Sequence, residues 1–428
     1  MRIIYAKIGE LINNKEERVC FKCYKSLNEL IKLSKKIQLF DLLSLNVEDY
    51  KNISIVCKSW NKISKYYFNK FREIQYNFSD HRYSKYELEL LKENKHLFSC
   101  HSKWILQLIL TTDWNDKNTQ QKEIILSILK NKNKNKKCWD LMCSRSCSET
   151  LQIEDIVIVI SKNYTYIPLI KYLIKLWKSI IENTKVFESF KIQINCYLYV
   201  LVNSLHFYKN YTTISLLIED FLLFLSNKDI YISNQLFWIL TPYISNPKSS
   251  IYFKEFRKKL VKNLDYQTYI SFQNGYDFTQ NIIKVAITNK ENMLDSIKIY
   301  LKEYNTKIDK FVLPINIVKT LKCIDYTKIR MIDSKTKPII LPCVSDDNSI
   351  CNIMLKKDDI RKEEIIMKII KLMDYFLKSE ENLDLYATTY NILPLSDEYG
   401  YIEFVSNSTT LYDIKEVHNF TIQNWILE

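Results

Sequence analysis

Residues 350–393 read ICNIMLKKDDIRKEEIIMKIIKLMDYFLKSEENLDLYATTYNIL, and the period of the apolar residues changes twice along them. Alternation comes first, placing Lys356 and Met354 on one face of a strand while Ile353 and Leu355 point to the other. Just upstream, KPIILPCV (337–344) is a second strand-like run. The turn-rich SDDNS between the two runs predicts a β-hairpin. Asp358 and Asp359 then open a helix with Glu363 and Glu364 in its first turn, where carboxylates suit the positive end of the helix dipole. Ile366, Ile369, Ile370, Met373 and Leu377 form its apolar stripe. LYATTYNIL (385–393) and YIEFV (401–405), joined through Asp397 to Gly400, predict a second hairpin. Strand, strand, helix, strand, strand makes a small α+β unit with an antiparallel sheet.

Upstream the texture is different. From about residue 100 to 300, apolar segments at helical spacing alternate with short polar joints: WILQLIL, KEIILSILKN, IPLIKYLIKLWKSII, CYLYVLVNSLHFY, TISLLIEDFLLFLS and NQLFWILTPYI. No strict repeat length links them, so the expected architecture is an irregular α-solenoid of antiparallel helix pairs. The pattern changes after about residue 310, and the helices stop around Pro314. The expected fold class is therefore mainly α: an irregular α-solenoid followed by the small α+β unit.

Composition excludes several functions. Only three glycines occur among 428 residues, Gly9, Gly275 and Gly400, which rules out the clustered glycines of Walker and dinucleotide-binding loops. Eleven cysteines without a framework point to free thiols in a reducing compartment. The single CxxC, Cys20 and Cys23, has no second half at zinc-ligand spacing, so no metal is expected there. No apolar run reaches membrane-spanning length, and the first residues have too short an apolar core for a signal peptide. A cytoplasmic location is expected. The net charge of +13 is spread along the chain and not gathered with aromatics into a stripe, so no nucleic-acid partner is expected. The run NKNKNKK, Asn131 to Lys137, reads as a solvated loop.

Six blocks, FVLPI (311–315), SKTKPIIL (334–341), IMLKKDDIRKEE (353–364), KLMDYFLKSEENLDL (371–385), TTYNIL (388–393) and YIEFV (401–405), follow one another in a familiar order. Together, from Phe311 to about Trp425, they resemble the small lobe of phosphatidylinositol 3-kinases and 4-kinases, and the class III 3-kinase most closely. SKYELELLKENKHLF, ILQLILTTDWND, CYLYVLVNSLHFY and NQLFWIL resemble the helical accessory domain of the same family. The resemblance implies residues 84–300 as helical accessory domain and 301–428 as kinase small lobe, ending just beyond the adenine linker.

The resemblance also implies site residues. Lys356 matches the lysine that contacts the ATP phosphates. Glu363 stands where the family has an aspartate, Tyr390 matches the pocket tyrosine, Ser334 the phosphate-loop serine, and Glu403 to Val405 the linker that reads adenine through its backbone. The match is imperfect at one place: the family's K-x-G-D-D is here KKDD, one residue shorter and without the glycine. ATP is the implied cofactor. The family's D-R-H-x-x-N loop and magnesium-holding D-F-G are absent from the sequence, so magnesium is not expected to be held by this chain. Phosphoryl transfer depends on positioning and on charge stabilisation by metal ions, which Lys356 alone does not supply. The expectation is a truncated kinase: half of a split enzyme completed by a separate large-lobe polypeptide, or an inactive pseudokinase, with peripheral contact to phosphoinositide membranes.

Residues 1–83 carry a second, weaker pattern. LFDLLSLNVEDYKNISIVCKSWNKIS resembles the later half of an F-box, with Asp49, Val56, Cys57, Lys58 and Trp60 at the matching places and the opening Leu-Pro missing. It implies an adaptor that docks on a ubiquitin-ligase linker protein through Val56, Cys57 and Trp60. The other reading is an ordinary amphipathic helix with Ile53, Val56, Trp60 and Ile63 on one face.

Overall fold

The computed structural model describes Ile74, residues 81–85, 87–88, Leu91, and residues 102–114, 119–130, 151–288, 292–306, 311–405, 408–417 and 421–427. The chain divides into two compact units, Met1–Val159 and Ile160–Glu428. The first contains α1 (Ser102–Leu110), α2 (Thr119–Lys130) and most of α3 (Ile153–Ser161). Ile105, Leu106, Leu108 and Ile109 of α1 are buried, and the Trp114 indole closes the end of that helix by donating to the Ile109 carbonyl at 2.9 Å.

The second unit begins with seven helices among the described residues: α4 (Ile167–Ile181), α5 (Thr184–Tyr208), α6 (Thr212–Ser226), α7 (Ile230–Ser245), α8 (Ser250–Lys262), α9 (Tyr266–Thr288) and α10 (Met293–Tyr304). From α4 to α8 each helix touches the next and, up to α6, the next but one, the stacking of an irregular solenoid. The local causes are legible. Pro168 opens α4, where its missing N–H is no loss, and Leu169, Ile170, Leu173, Ile174, Trp177 and Ile181 bury one face. Asn183 caps α5 by accepting from the Lys185 and Val186 N–H groups, and Asp229 caps α7 by accepting from the Ile232 N–H. Every residue of α7 from Ile232 to Pro242 is buried, which makes it the central helix of the array.

The sheet follows: β1 (Val312–Leu313), β2 (Asn316–Ile324), β3 (Arg330–Met331), β4 (Ile339–Ser345), β5 (Ile350–Lys356), β6 (Ile392–Pro394) and β7 (Gly400–Glu403). Its order is β1-β2-β4-β5-β7-β6, with β3 also on β4, and all pairings are antiparallel. Polar bonds tie it to the helices: the buried Asn234 amide of α7 donates to the Pro314 carbonyl at 3.0 Å, and the Val312 N–H donates to Ser271 of α9 at 2.9 Å. The Asn305 side chain, just past α10, both donates to and accepts from the backbone of Ile324. Helices followed by a small antiparallel sheet are the architecture the sequence implies.

One detail departs from the sequence reading and a second adds to it. Between α11 (Arg361–Glu380) and β6 the chain is irregular, so the second hairpin keeps only Ile392–Pro394 of its first strand. Asn382 and Tyr386 adopt positive φ there, which breaks an extended run. The second is the direction of the stripe: Ile366, Ile369, Ile370 and Met373 of α11 are exposed, and only Leu377 of the five is half-buried. The helix instead turns Glu364, Met367 and Lys368 inward, because Ile360, Met367 and Ile392 form the contact with the sheet and α5 receives the polar side.

Candidate functional site

Lys356 ends β5, and its neighbours follow from register. Leu355 pairs with Ile339 of β4, and Lys356 pairs with Gly400 of β7. The connection from β3 to β4 that carries Ser334 therefore adjoins the end of β5 on one side, with the β7 strand on the other. Ser334 is exposed, and its carbonyl accepts the Lys337 N–H at 3.1 Å, closing a turn in which Lys337 takes a φ of 44°.

Two carboxylates face the Lys356 ammonium. Asp358 lies 2.8 Å from Nζ and Glu363, in the first turn of α11, lies 3.9 Å away. The hydrogen bond from Lys356 holds the Asp358 carboxyl below the usual carboxylate range. Asp359 is held down in the same way by Arg361, whose guanidinium donates to both its oxygens at 2.7 and 2.6 Å. Among the described residues no group of three or more His, Cys, Asp or Glu side chains is placed to hold a metal ion.

Gly400 sets the spacing. A Cβ there would stand 2.0 Å from Cδ1 and 2.4 Å from Cγ1 of Ile360, so only glycine lets this fully buried isoleucine rest on the sheet beside Lys356. Ile360 immediately precedes α11, and its seat fixes where Glu363 begins its reach. The sequence offered a signal, since Gly400 is one of three glycines, but read alone it marks a turn and not a close approach.

Glu403 and Val405 lie where β7 leaves the sheet. The Glu403 N–H donates to the Asn391 carbonyl and the Phe404 N–H to the Asn352 carbonyl, both at 2.9 Å. The Asn391 N–H goes to the Glu403 carboxylate at 2.9 Å, so among the described residues no sheet partner takes the Glu403 carbonyl. Arg330 places its guanidinium 5.7 Å from the Phe404 ring centre.

Tyr390 packs against Ile360, Met367 and Ile392 and lines a cleft toward α5 and α7. The structure thus brings Lys356 and Glu363 into one ion-pair network, sets the Ser334 turn and the Glu403–Val405 linker on the two flanks of β5, and puts Tyr390 under α11. Sequence reasoning missed Asp358 as a partner of Lys356, although the shortened KKDD carries the signal: one residue fewer leaves this aspartate two positions from the lysine. It also missed Glu364. That side chain is 2% exposed, accepts a hydrogen bond from the Tyr199 hydroxyl of α5 and pairs with Lys368 at 2.9 Å, while Lys368 lies 4.6 Å over the Tyr199 ring. Burial and the Glu364 charge push the Tyr199 phenol well up. Cys20, Cys23, Val56, Cys57 and Trp60 lie outside the described residues.

The family model for phosphatidylinositol 3- and 4-kinase matches residues 350–426, the span from β5 through the linker to α12 (Ile422–Leu427). Over that span the chain is similar to the phosphatidylinositol 3- and 4-kinase family. Similar curated proteins agree. Phosphatidylinositol 3-kinase pik3 of Schizosaccharomyces pombe is 25% identical over 214 residues, 46% of this chain and 27% of that protein. Phosphatidylinositol 3-kinase VPS34 of Candida albicans is 50% identical over 52 residues, 12% of this chain and 5% of that protein. Serine/threonine-protein kinase ATR of Caenorhabditis elegans is 28% identical over 104 residues, 23% of this chain and 4% of that protein. The chain thus spans about a quarter or less of the length of these relatives. No helix among the described residues is long and apolar enough to cross a membrane.

Proposed function

We propose that this chain supplies the nucleotide-binding half of a phosphatidylinositol 3-kinase active site. The observation that carries the reading is the Lys356–Glu363 approach of 3.9 Å at the end of β5, flanked by the Ser334 turn and the adenine linker. In this reading Lys356 and the Ser334 turn hold the ATP phosphates, and Glu363 orients Lys356. The Glu403 carbonyl and Val405 N–H pair with adenine, and Tyr390 supports the pocket beneath α11. The residues fit such a ligand: an ammonium held only by partly exposed carboxylates and a linker carbonyl left without a sheet partner are both open to it. ATP supplies the transferred phosphoryl group when bound.

The same reading assigns the catalytic base and the magnesium ligands to a large lobe, since neither D-R-H-x-x-N nor D-F-G occurs in these 428 residues. A large lobe from outside these residues would cover the exposed stripe Ile366, Ile369, Ile370 and Met373, which is otherwise an apolar surface left to water. The activity then proposed is ATP-dependent phosphorylation of phosphatidylinositol at an endomembrane surface, with the lone chain binding nucleotide without turning over lipid. The ubiquitin-ligase adaptor reading of Val56, Cys57 and Trp60 rests on sequence alone.

Titration with a fluorescent ATP analogue tests this. Lys356→Met should weaken binding at least tenfold and Glu363→Gln severalfold, with the unfolding midpoint preserved. Equal binding by wild type and Lys356→Met sinks the nucleotide reading. Lipid kinase turnover by the purified chain, abolished by Lys356→Ala, would sink the claim that catalysis needs residues outside it.

A further inference from the structure

A cleft of about 560 Å³ opens between the helices and the sheet, with walls from α5, α7, α11 and the strands β2 and β6; Tyr390 lines it and Lys356 does not. That volume falls in the range of small-molecule sites. One wall is apolar, with Ile315 and Ile392 buried in it and Val318 standing 85% exposed at the rim.

The opposite wall is charged, and its charges are not equivalent. Asp229 is paired with Lys191, which also lies 3.8 Å from Glu188, and Glu364 is paired with Lys368 at 2.9 Å. Glu188 and Asp229 thus share Lys191, and Glu364 has Lys368. Lys371 is the lining cation outside these pairs: among the described residues no carboxylate lies within ion-pair distance of its ammonium, whose partner is the neutral Asn391 amide oxygen at 2.7 Å. An ammonium has three donors, and here one is used by a neutral acceptor. Burial pushes the Lys371 pKa down, the behaviour of a charge short of compensation, against an opposing pull from Glu403.

We propose that this cleft binds a small amphiphilic anion, its carboxylate or phosphate at Lys371 and its apolar body against Ile315, Ile392 and Val318. The site lies on the side of α11 that faces the helices, and the proposal does not rest on the nucleotide reading. The ligand is a free, water-soluble molecule and not a lipid held in a bilayer, because the apolar wall is a concavity and not a protruding surface.

Isothermal titration of the full chain with monomeric decanoate tests it, with decanol as the neutral control. Decanoate should bind saturably and at least tenfold more tightly than decanol. Lys371→Met should lose at least tenfold in affinity, and Lys371→Arg should keep it. Val318→Trp, a change at an exposed rim position that leaves the core untouched, should block entry with the unfolding midpoint unchanged. Equal binding of decanol, undiminished decanoate binding in Lys371→Met, or undiminished binding in Val318→Trp overturns the proposal. So does binding confined to phosphatidylcholine vesicles containing phosphatidic acid, with none to free decanoate.

Discussion

Helices α4 and α11 carry apolar residues at the same spacing, and they bury opposite things. In α4 the stripe is core, with Leu173 and Trp177 wholly out of water. In α11 the stripe from Ile366 to Met373 stands 36–58% exposed while Glu364 on the other side is 2% exposed. Periodicity therefore identifies a helix without saying what covers it. The covering comes from the rest of the fold: α4 has α5 and α6 against it, whereas α11 has the sheet and α5 on its Met367 and Glu364 sides and, among the described residues, leaves its isoleucines exposed.

The largest expected effect tests that contrast directly. Trp177→Ala should lower unfolding free energy by about 4 kcal/mol, the range for truncating a buried aromatic. Ile366→Ala should stay within about 0.5 kcal/mol, as an exposed substitution does. Urea unfolding of the two variants measures both. If Ile366→Ala matches Trp177→Ala, the stripe is core in solution and the contrast is broken.

A smaller effect separates two adjacent glutamates at the start of α11. Glu364 faces Tyr199 and Lys368 in the interior, so Glu364→Gln leaves a mostly buried lysine without its counter-charge and should cost about 3 kcal/mol of stability. Glu363 is half-buried and reaches toward Lys356, so Glu363→Gln should leave stability nearly unchanged and act on nucleotide affinity instead. The two readouts, urea unfolding and nucleotide titration, should cross over between the variants. Stability loss from both substitutions would mean that the first turn of α11 acts as one structural unit and not as two separate contacts.

The same pair shows how far the sequence could be read. The helices were legible because apolar residues recur at helical spacing between short polar joints, and Pro168 and the Asn183 and Asp229 caps seen in the structure agree with them. The β4–β5 hairpin was legible from alternation and from SDDNS. What the sequence does not carry is orientation around α11, which depends on residues more than 150 positions away: Cys196 and Tyr199 meet Lys368 and Glu364 only once the fold is closed. Gly400 was hidden for the same reason, since its neighbour Ile360 lies 40 positions upstream. Lys356 and Glu363 were accessible only through resemblance. A lysine ending a hairpin strand is ordinary, and nothing in its spacing says that a turn and a linker flank it.

The smallest expected effect concerns Asp358, the partner of Lys356 that the shortened KKDD creates. Its carboxylate is nearer to Lys356 than Glu363 is, at 2.8 Å against 3.9 Å, yet both Asp358 and Lys356 keep contact with water. Exposed ion pairs of this kind are weak, so an incoming phosphate displaces Asp358 at little cost. If Asp358 is a competitor for Lys356, Asp358→Asn should raise affinity for the ATP analogue by no more than about fivefold at neutral pH. The pH dependence has a definite sign. Lys356 holds the Asp358 carboxyl below its ordinary range, so the competitor stays charged through that range, and wild-type affinity should approach that of the variant only at more acidic pH. Paired titrations at neutral and acidic pH decide the matter. Weaker binding by Asp358→Asn at neutral pH would make Asp358 part of the nucleotide site and leave Glu363 as an accessory to it.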